Sequence, residues 1–213
     1  FHAAGEPFRL TRALARGIQR RAGDGPLDGF PPVLAFLSTV DSTVRAEAVA
    51  DALLDHLAPD GHELVLFDVN RYADVQPLLV DDPGPLTARL RARTERPYAL
   101  TVITNASAES LAVVEQRAPA RSGDVTQREL DLAWPPMTFS LSHVALPFPP
   151  DDPLYGYELQ EPTRHVQLGR IEIRGENGVL KVPMWALTRQ RSNPFHAYLL
   201  GRIDGFTDAA AAR

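Results

Sequence analysis

Three strand-length apolar runs, Val33–Val40, Leu64–Phe67 and Tyr98–Thr104, constrain this chain more than any other feature of its sequence. Their side chains are apolar at nearly every position instead of every second one, which suggests strands buried on both faces, as in a parallel sheet covered by helices. After the first run, Ser42 or Thr43 can cap a helix. Its apolar positions Val44, Ala48, Val49, Ala52, Leu53 and Leu57 keep helical spacing until Pro59-Asp60-Gly61 ends it. Strand, helix, strand with short connections is a βαβ unit, so the fold class is α/β.

The remaining segments extend this reading. Leu10, Leu14 and Ile18, beside Ala13, draw one apolar stripe on a helix whose arginines face water. Gly23, Gly25, Pro26, Gly29, Pro31 and Pro32 form the loop that leads to the first strand. Leu78 to Pro85 reads as a loop, Leu86 to Thr94 as a helix with a solvated arginine face, and Ala108 to Gln116 as a further helix. Met137 to Val144 is expected as a fourth strand of the same sheet, with alternating side chains and His143 at its end. The prolines between Pro147 and Gly156 impose an ordered loop. Val166 to Arg174 and Val179 to Met184 flank Gly175-Glu176-Asn177-Gly178 as a β-hairpin, and Ser192-Asn193-Pro194 opens a last helix through Ile203. With 213 residues, 44% of them hydrophobic, residues 1–213 suffice for one domain with a buried core, and 208–213 are expected as a disordered tail.

Composition closes several functional classes. A net charge of -5 leaves no basic face for phosphate backbones, so nucleic acid is not an expected partner. The absence of cysteine removes disulfides, thiolate metal sites and a cysteine nucleophile. No run reaches the roughly 20 apolar residues of a spanning helix, and a cytoplasmic chain is expected. No Gly-rich phosphate loop is present, and His56, His62, His165 and His196 lack metal-ligand spacing, so no cofactor and no metal are expected and these histidines are read as surface residues. The adjacent Asp151 and Asp152 lack the alternating ligands of a calcium loop.

Two residues stand out for chemistry. Asp41 follows the first buried strand directly, at the carboxyl edge where open α/β sheets carry their sites, and His143 comes far downstream at the end of another expected strand. An acid followed by a histidine is the latter part of the triad order Ser, Asp, His, in which the histidine takes the nucleophile's proton and the carboxylate fixes its tautomer. Asp68, ending the second strand, is the alternative acid, with Asn70 beside it and Asn105 in a comparable place. Ser140 and Ser142 fall on the strand face opposite His143, which excludes them as nucleophiles. No serine stands midway between two glycines in the G-x-S-x-G pattern of a nucleophile elbow, and the chain opens on Phe1 in place of methionine, so a piece of a longer enzyme is expected.

Long segments carry a family resemblance: Pro32-Val33-Leu34-Ala35-Phe36-Leu37-Ser38-Thr39-Val40-Asp41-Ser42-Thr43-Val44, His62-Glu63-Leu64-Val65-Leu66-Phe67-Asp68-Val69-Asn70-Arg71, the run from Ser140-Leu141-Ser142-His143 through Asp151-Asp152-Pro153-Leu154-Tyr155-Gly156, and, more weakly, Ser192-Asn193-Pro194-Phe195. Taken together these resemble the C-terminal half of a bacterial α/β-hydrolase family protein of the serine esterase or lysophospholipase-like kind. The resemblance implies an incomplete α/β-hydrolase fold, with parallel strands, crossover helices, a C-terminal β-hairpin and a helix. It implies an acid role for Asp41, a general-base role for His143, and a small-molecule or lipid ester as substrate. It also implies that the serine, its elbow and the oxyanion-hole amides come from a missing N-terminal half or a complementing chain. The alternative is a non-catalytic α/β domain that binds a partner chain or small ligand and keeps the acid and histidine as relics.

Overall fold

The computed structural model describes residues 5–158, 168, 173–183 and 185–212. Among them, α1 (Gly5–Ala22), β1 (Leu34–Ser38), α2 (Ala46–Ala52), β2 (Glu63–Phe67), α3 (Gly84–Ala92), β3 (Ala99–Asn105), β4 (Ala112–Ala118), β5 (Thr126–Ala133) and α4 (His196–Ala211) follow one another. The strands form a single mixed sheet in the order β1-β2-β3-β4-β5. The first three apolar runs pair in parallel, Leu34 to Ser38 against Glu63 to Phe67, and these against Ala99 to Ile103. β4 and β5 then return as antiparallel neighbours.

Burial explains the layers. Every residue of β2 is buried, because helices cover both its faces. On one face Leu64, Leu66, Leu100 and Val102 pack against Ala46 and Ala50 of α2, Leu54, Leu57 and Leu90 of α3. On the other, Val65, Phe67 and Ile103 meet Trp134, Leu141, Phe195 and Leu199. Phe195 stacks on Phe67 at 5.5 Å and meets Trp134 edge-on at 5.1 Å, fixing the start of α4 to the sheet. A third cluster, Val69, Val75, Leu79, Phe139 and Leu180, with Val40 packed against it, sits under the loops at the carboxyl ends of the parallel strands.

Several expectations are corrected. Ala108 to Gln116 is no helix: Val113, Val114 and Glu115 are buried in β4, where β-branched side chains fit the pleat and pair with β3. Met137 to Val144 is no strand of the sheet, and only Thr138 makes an isolated bridge, to Arg174. β4 and β5 take the places next to β3 instead. The hairpin falls partly outside the described residues. In its described part Glu176 to Val179 do turn, with Gly178 at φ 80°, but Leu180 bridges Leu79 and Arg174 bridges Thr138 and Thr188 in place of each other. α2 starts at Ala46, after Arg45, and not at a Ser42 or Thr43 cap, because both residues belong to the turn built by Asp41. α4 continues through Ala211, so the stretch from Asp208 is helical and not a disordered tail, in keeping with the high helix propensity of alanine.

The arginines of α3 are engaged, not merely solvated. Arg89 pairs with Glu47 and Asp51, and Arg93 with Asp51 and Asp55, stitching α3 to the α2 side. The two sheet edges differ. β5 presents Arg128, Glu129 and Asp131, the charged character that discourages further pairing. β1 is apolar. Val33 accepts from the Glu63 amide at 2.8 Å and the Thr39 amide donates to Phe67 at 2.9 Å, so by the alternation of a parallel ladder Leu34, Phe36 and Ser38 turn their backbone groups outward. The stripe expected on α1 exists, but Leu10 and Leu14 are 62% and 58% exposed, since among the described residues no layer packs over that side of the helix.

Candidate functional site

The parallel strands bring Asp41, Asp68 and Asn105 to one edge of the sheet. Asp41 stands just beyond β1. One carboxylate oxygen, Oδ1, accepts the amides of Thr43 at 2.7 Å and Val44 at 2.9 Å, a local turn that orients the side chain from its own backbone. Its Oδ2 has no hydrogen-bond partner among the described residues. The carboxylate is thus held on one side and unspent on the other.

Asp68 has no such freedom. Arg71 grips it with Nε at 2.9 Å to Oδ2 and Nη2 at 3.0 Å to Oδ1, while Thr104 donates to Oδ2 and the Val69 amide to Oδ1. Arg71 also pairs with Asp82, whose carboxyl is held below its ordinary range by that guanidinium and by the Gly84 amide. Asn70 and Asn105 complete a brace. Asn105 Nδ2 donates to Asn70 Oδ1 and to the Ser110 carbonyl, its Oδ1 accepts the Arg71 amide, and Asn70 Nδ2 reaches the Thr138 carbonyl at 3.1 Å. These residues, read from sequence as alternative site residues, tie the loops of β2 and β3 together and hand the chain on to Thr138.

From there the histidine segment runs over the edge. Phe139 is bonded on both sides, its carbonyl accepting the Asn70 amide and its own amide donating to the Arg174 carbonyl. Ser140 and Ser142, both buried, grip the neighbouring turn: Ser140 Oγ accepts the Glu176 amide at 2.9 Å and Ser142 Oγ donates to the Gly175 carbonyl at 3.1 Å. A side chain at residue 175 would place its Cβ 2.9 Å from Ser140 Oγ and so displace the hydroxyl that holds the Glu176 amide. On the far side Asn193 donates through Nδ2 to the Val144 carbonyl and through its amide to Phe148. His143 is therefore half-buried on a segment fixed before and after it, and its imidazole makes no hydrogen bond among the described residues.

Glu176 joins the two halves of the site. This glutamate, 3% exposed, accepts the Ser42 hydroxyl at 3.0 Å through Oε1 while its amide is held by Ser140. The turn of Asp41 is thereby linked to the segment of His143. Asp41 and His143 do not themselves hydrogen-bond. Sequence reading missed Glu176, because a glutamate in a Gly-rich turn carries no sign of burial. It also missed the buried Gln190 amide, and Ser192, expected to open the last helix, does not cap α4, which starts at His196; neither side chain has a hydrogen-bond partner among the described residues.

The other histidines divide. His62 is buried, not at the surface, where its Nδ1 accepts the Val33 amide at 3.0 Å; His56 and His196 are partly exposed, and His165 lies outside the described residues. A cleft of about 480 Å³ opens at the opposite pole, lined by Glu63, Arg117, Arg202 and Phe206, and its charges are paired, with Arg202 2.5 Å from Glu63. Among the described residues no group of three metal-ligating side chains occurs, and no helix is long and apolar enough to cross a membrane. No family model, no curated protein and no solved structure matches the chain.

Proposed function

We propose that these residues are the acid and base half of a serine hydrolase for carboxylic esters, lysophospholipids among them, acting by acyl transfer. Asp41 orients the imidazole of His143, and His143 takes the proton of a serine supplied by another part of the polypeptide or by a second chain. The observation that carries the reading is the contrast between the two carboxylates at the sheet edge. Asp68 is consumed by Arg71, whereas Asp41 keeps one oxygen unspent beside a turn that is linked through Glu176 to the histidine segment. The outward backbone groups of β1 supply the second support, since an apolar parallel edge strand is where further strands of such a sheet would pair.

The serine and the oxyanion donors, each donor worth roughly 3 kcal/mol, are not in these residues, so the 213-residue chain alone should hydrolyse nothing. The test is a p-nitrophenyl ester and lysophospholipid assay on the chain joined to, or mixed with, a polypeptide that carries the serine elbow. His143→Ala should abolish turnover, by a factor of about 10⁴ or more, with the circular dichroism spectrum unchanged. Retained activity would remove His143 from the mechanism, and the domain would then be read as a binding module.

A further inference from the structure

We infer that Glu176 is a positioning residue, a buried strut that sets the Asp41 turn against the His143 segment; this rests on the hydrolase reading above. Its carboxylate receives Ser42, the residue after Asp41, and its backbone receives Ser140, three residues before His143. The Gly175 carbonyl beside it receives Ser142, the residue before His143. Three hydrogen bonds thus converge on two consecutive residues from both candidate catalytic segments. Val40 also packs against the apolar cluster that holds Phe139, and Asn70 and Asn105 brace the sheet edge below; Glu176 adds the polar tie between the two segments. The carboxylate of a glutamate that is 3% exposed is costly to bury unless it is hydrogen-bonded. Here the carboxylate's one hydrogen bond among the described residues goes to the turn of the candidate acid, while the backbone of residues 175 and 176 holds the segment of the candidate base.

Geometry at an acyl-transfer site is unforgiving: a displacement of about 1 Å can reduce turnover about 10²-fold. Loss of the strut should therefore act on kcat and leave KM nearly unchanged. Two readouts separate this inference from the reading it rests on. The first is amide hydrogen exchange on the 213-residue chain itself, comparing Glu176→Ala, Glu176→Gln and Ser42→Ala with the unmodified protein. Glu176→Ala, which removes the bond to Ser42 and keeps the backbone bonds to Ser140 and Ser142, should speed exchange about tenfold in 39–45 while 138–145, 63–71 and 99–106 are unchanged. Glu176→Gln, which keeps an acceptor for Ser42, should restore most of the protection, and Ser42→Ala, which deletes the same bond from its other end, should reproduce the effect of Glu176→Ala. Faster exchange confined to 174–178 would overturn the strut.

The second readout is steady-state ester hydrolysis with the serine-bearing partner present. Glu176→Ala should lower kcat about 10- to 100-fold at constant KM, with Glu176→Gln rescuing and Ser42→Ala non-additive with it. Unchanged kcat in an active assembly would overturn the positioning role while leaving the hydrolase reading intact. Faster exchange of 39–45 in the Glu176→Ala protein, with an assembly that cleaves no ester, would sustain the strut and remove the hydrolase reading.

Discussion

At the scale of single residues, two aspartates placed alike by the sheet have opposite surroundings and should respond oppositely to the same substitution. Asp41→Asn keeps an oxygen for the Thr43 and Val44 amides, so it should change stability by less than about 1 kcal/mol and lower ester turnover by about 10⁴. Asp68→Asn strips a buried two-point partner from Arg71 and should cost on the order of 3 kcal/mol in urea unfolding, with turnover altered only several-fold. If turnover tracks Asp68 instead, the acid has been assigned to the wrong strand. The sequence made both carboxylates visible because each follows an apolar run. It placed Asp41 first and Asp68 as the alternative without the residue that separates them, a single arginine three positions on from Asp68. Glu176 was hidden for a related reason: its burial is created by Ser42 and Ser140, respectively 134 and 36 residues away.

At the scale of elements, legibility followed burial on two faces. β1, β2 and β3 were evident because covered strands are apolar throughout, and α1, α3 and α4 because their ends or faces are marked. β4 was read as a helix because Leu111, Val114 and Glu115 stand at the i, i+3, i+4 spacing of a helix face; pairing in register against β3 decided the outcome instead. β5 is mostly exposed and polar, and its one strand signal, the alternation of Leu130, Leu132 and Trp134 toward the core, went unread. The histidine segment takes its shape from Gly175, Glu176 and Asn193, not from a ladder, and so had no period to read. Its support on the α4 side depends on Phe195, fully buried between Phe67 and Trp134. Phe195→Ala should cost about 3–5 kcal/mol, and Phe195→Leu about half as much, by chemical denaturation. Equal stability in all three proteins would show that α4 is held elsewhere.

Taken whole, the molecule should be more sensitive to base than its acidic composition suggests. Tyr98 is fully buried among Leu54, Leu57 and Leu90, and that burial, with Asp55 beside it, pushes its phenol up to about 12. The folded chain therefore holds the phenol's proton more tightly than the unfolded chain, whose tyrosine titrates near pH 10. The resulting stability is fully present below about pH 10 and is lost as the pH rises through about 12, on the order of 2 kcal/mol in all. Unfolding free energies measured between pH 7 and 12 should fall less steeply for Tyr98→Phe than for the unmodified chain, and parallel curves would refute this origin. The strand order has a different kind of consequence. Every strand of the sheet lies beside the one made just before it, so a nascent chain can add strands in the order of synthesis without waiting for a distant partner. The segment carrying His143 then emerges onto a finished platform, and α4 arrives last to lock Arg202 against Glu63 at the far pole.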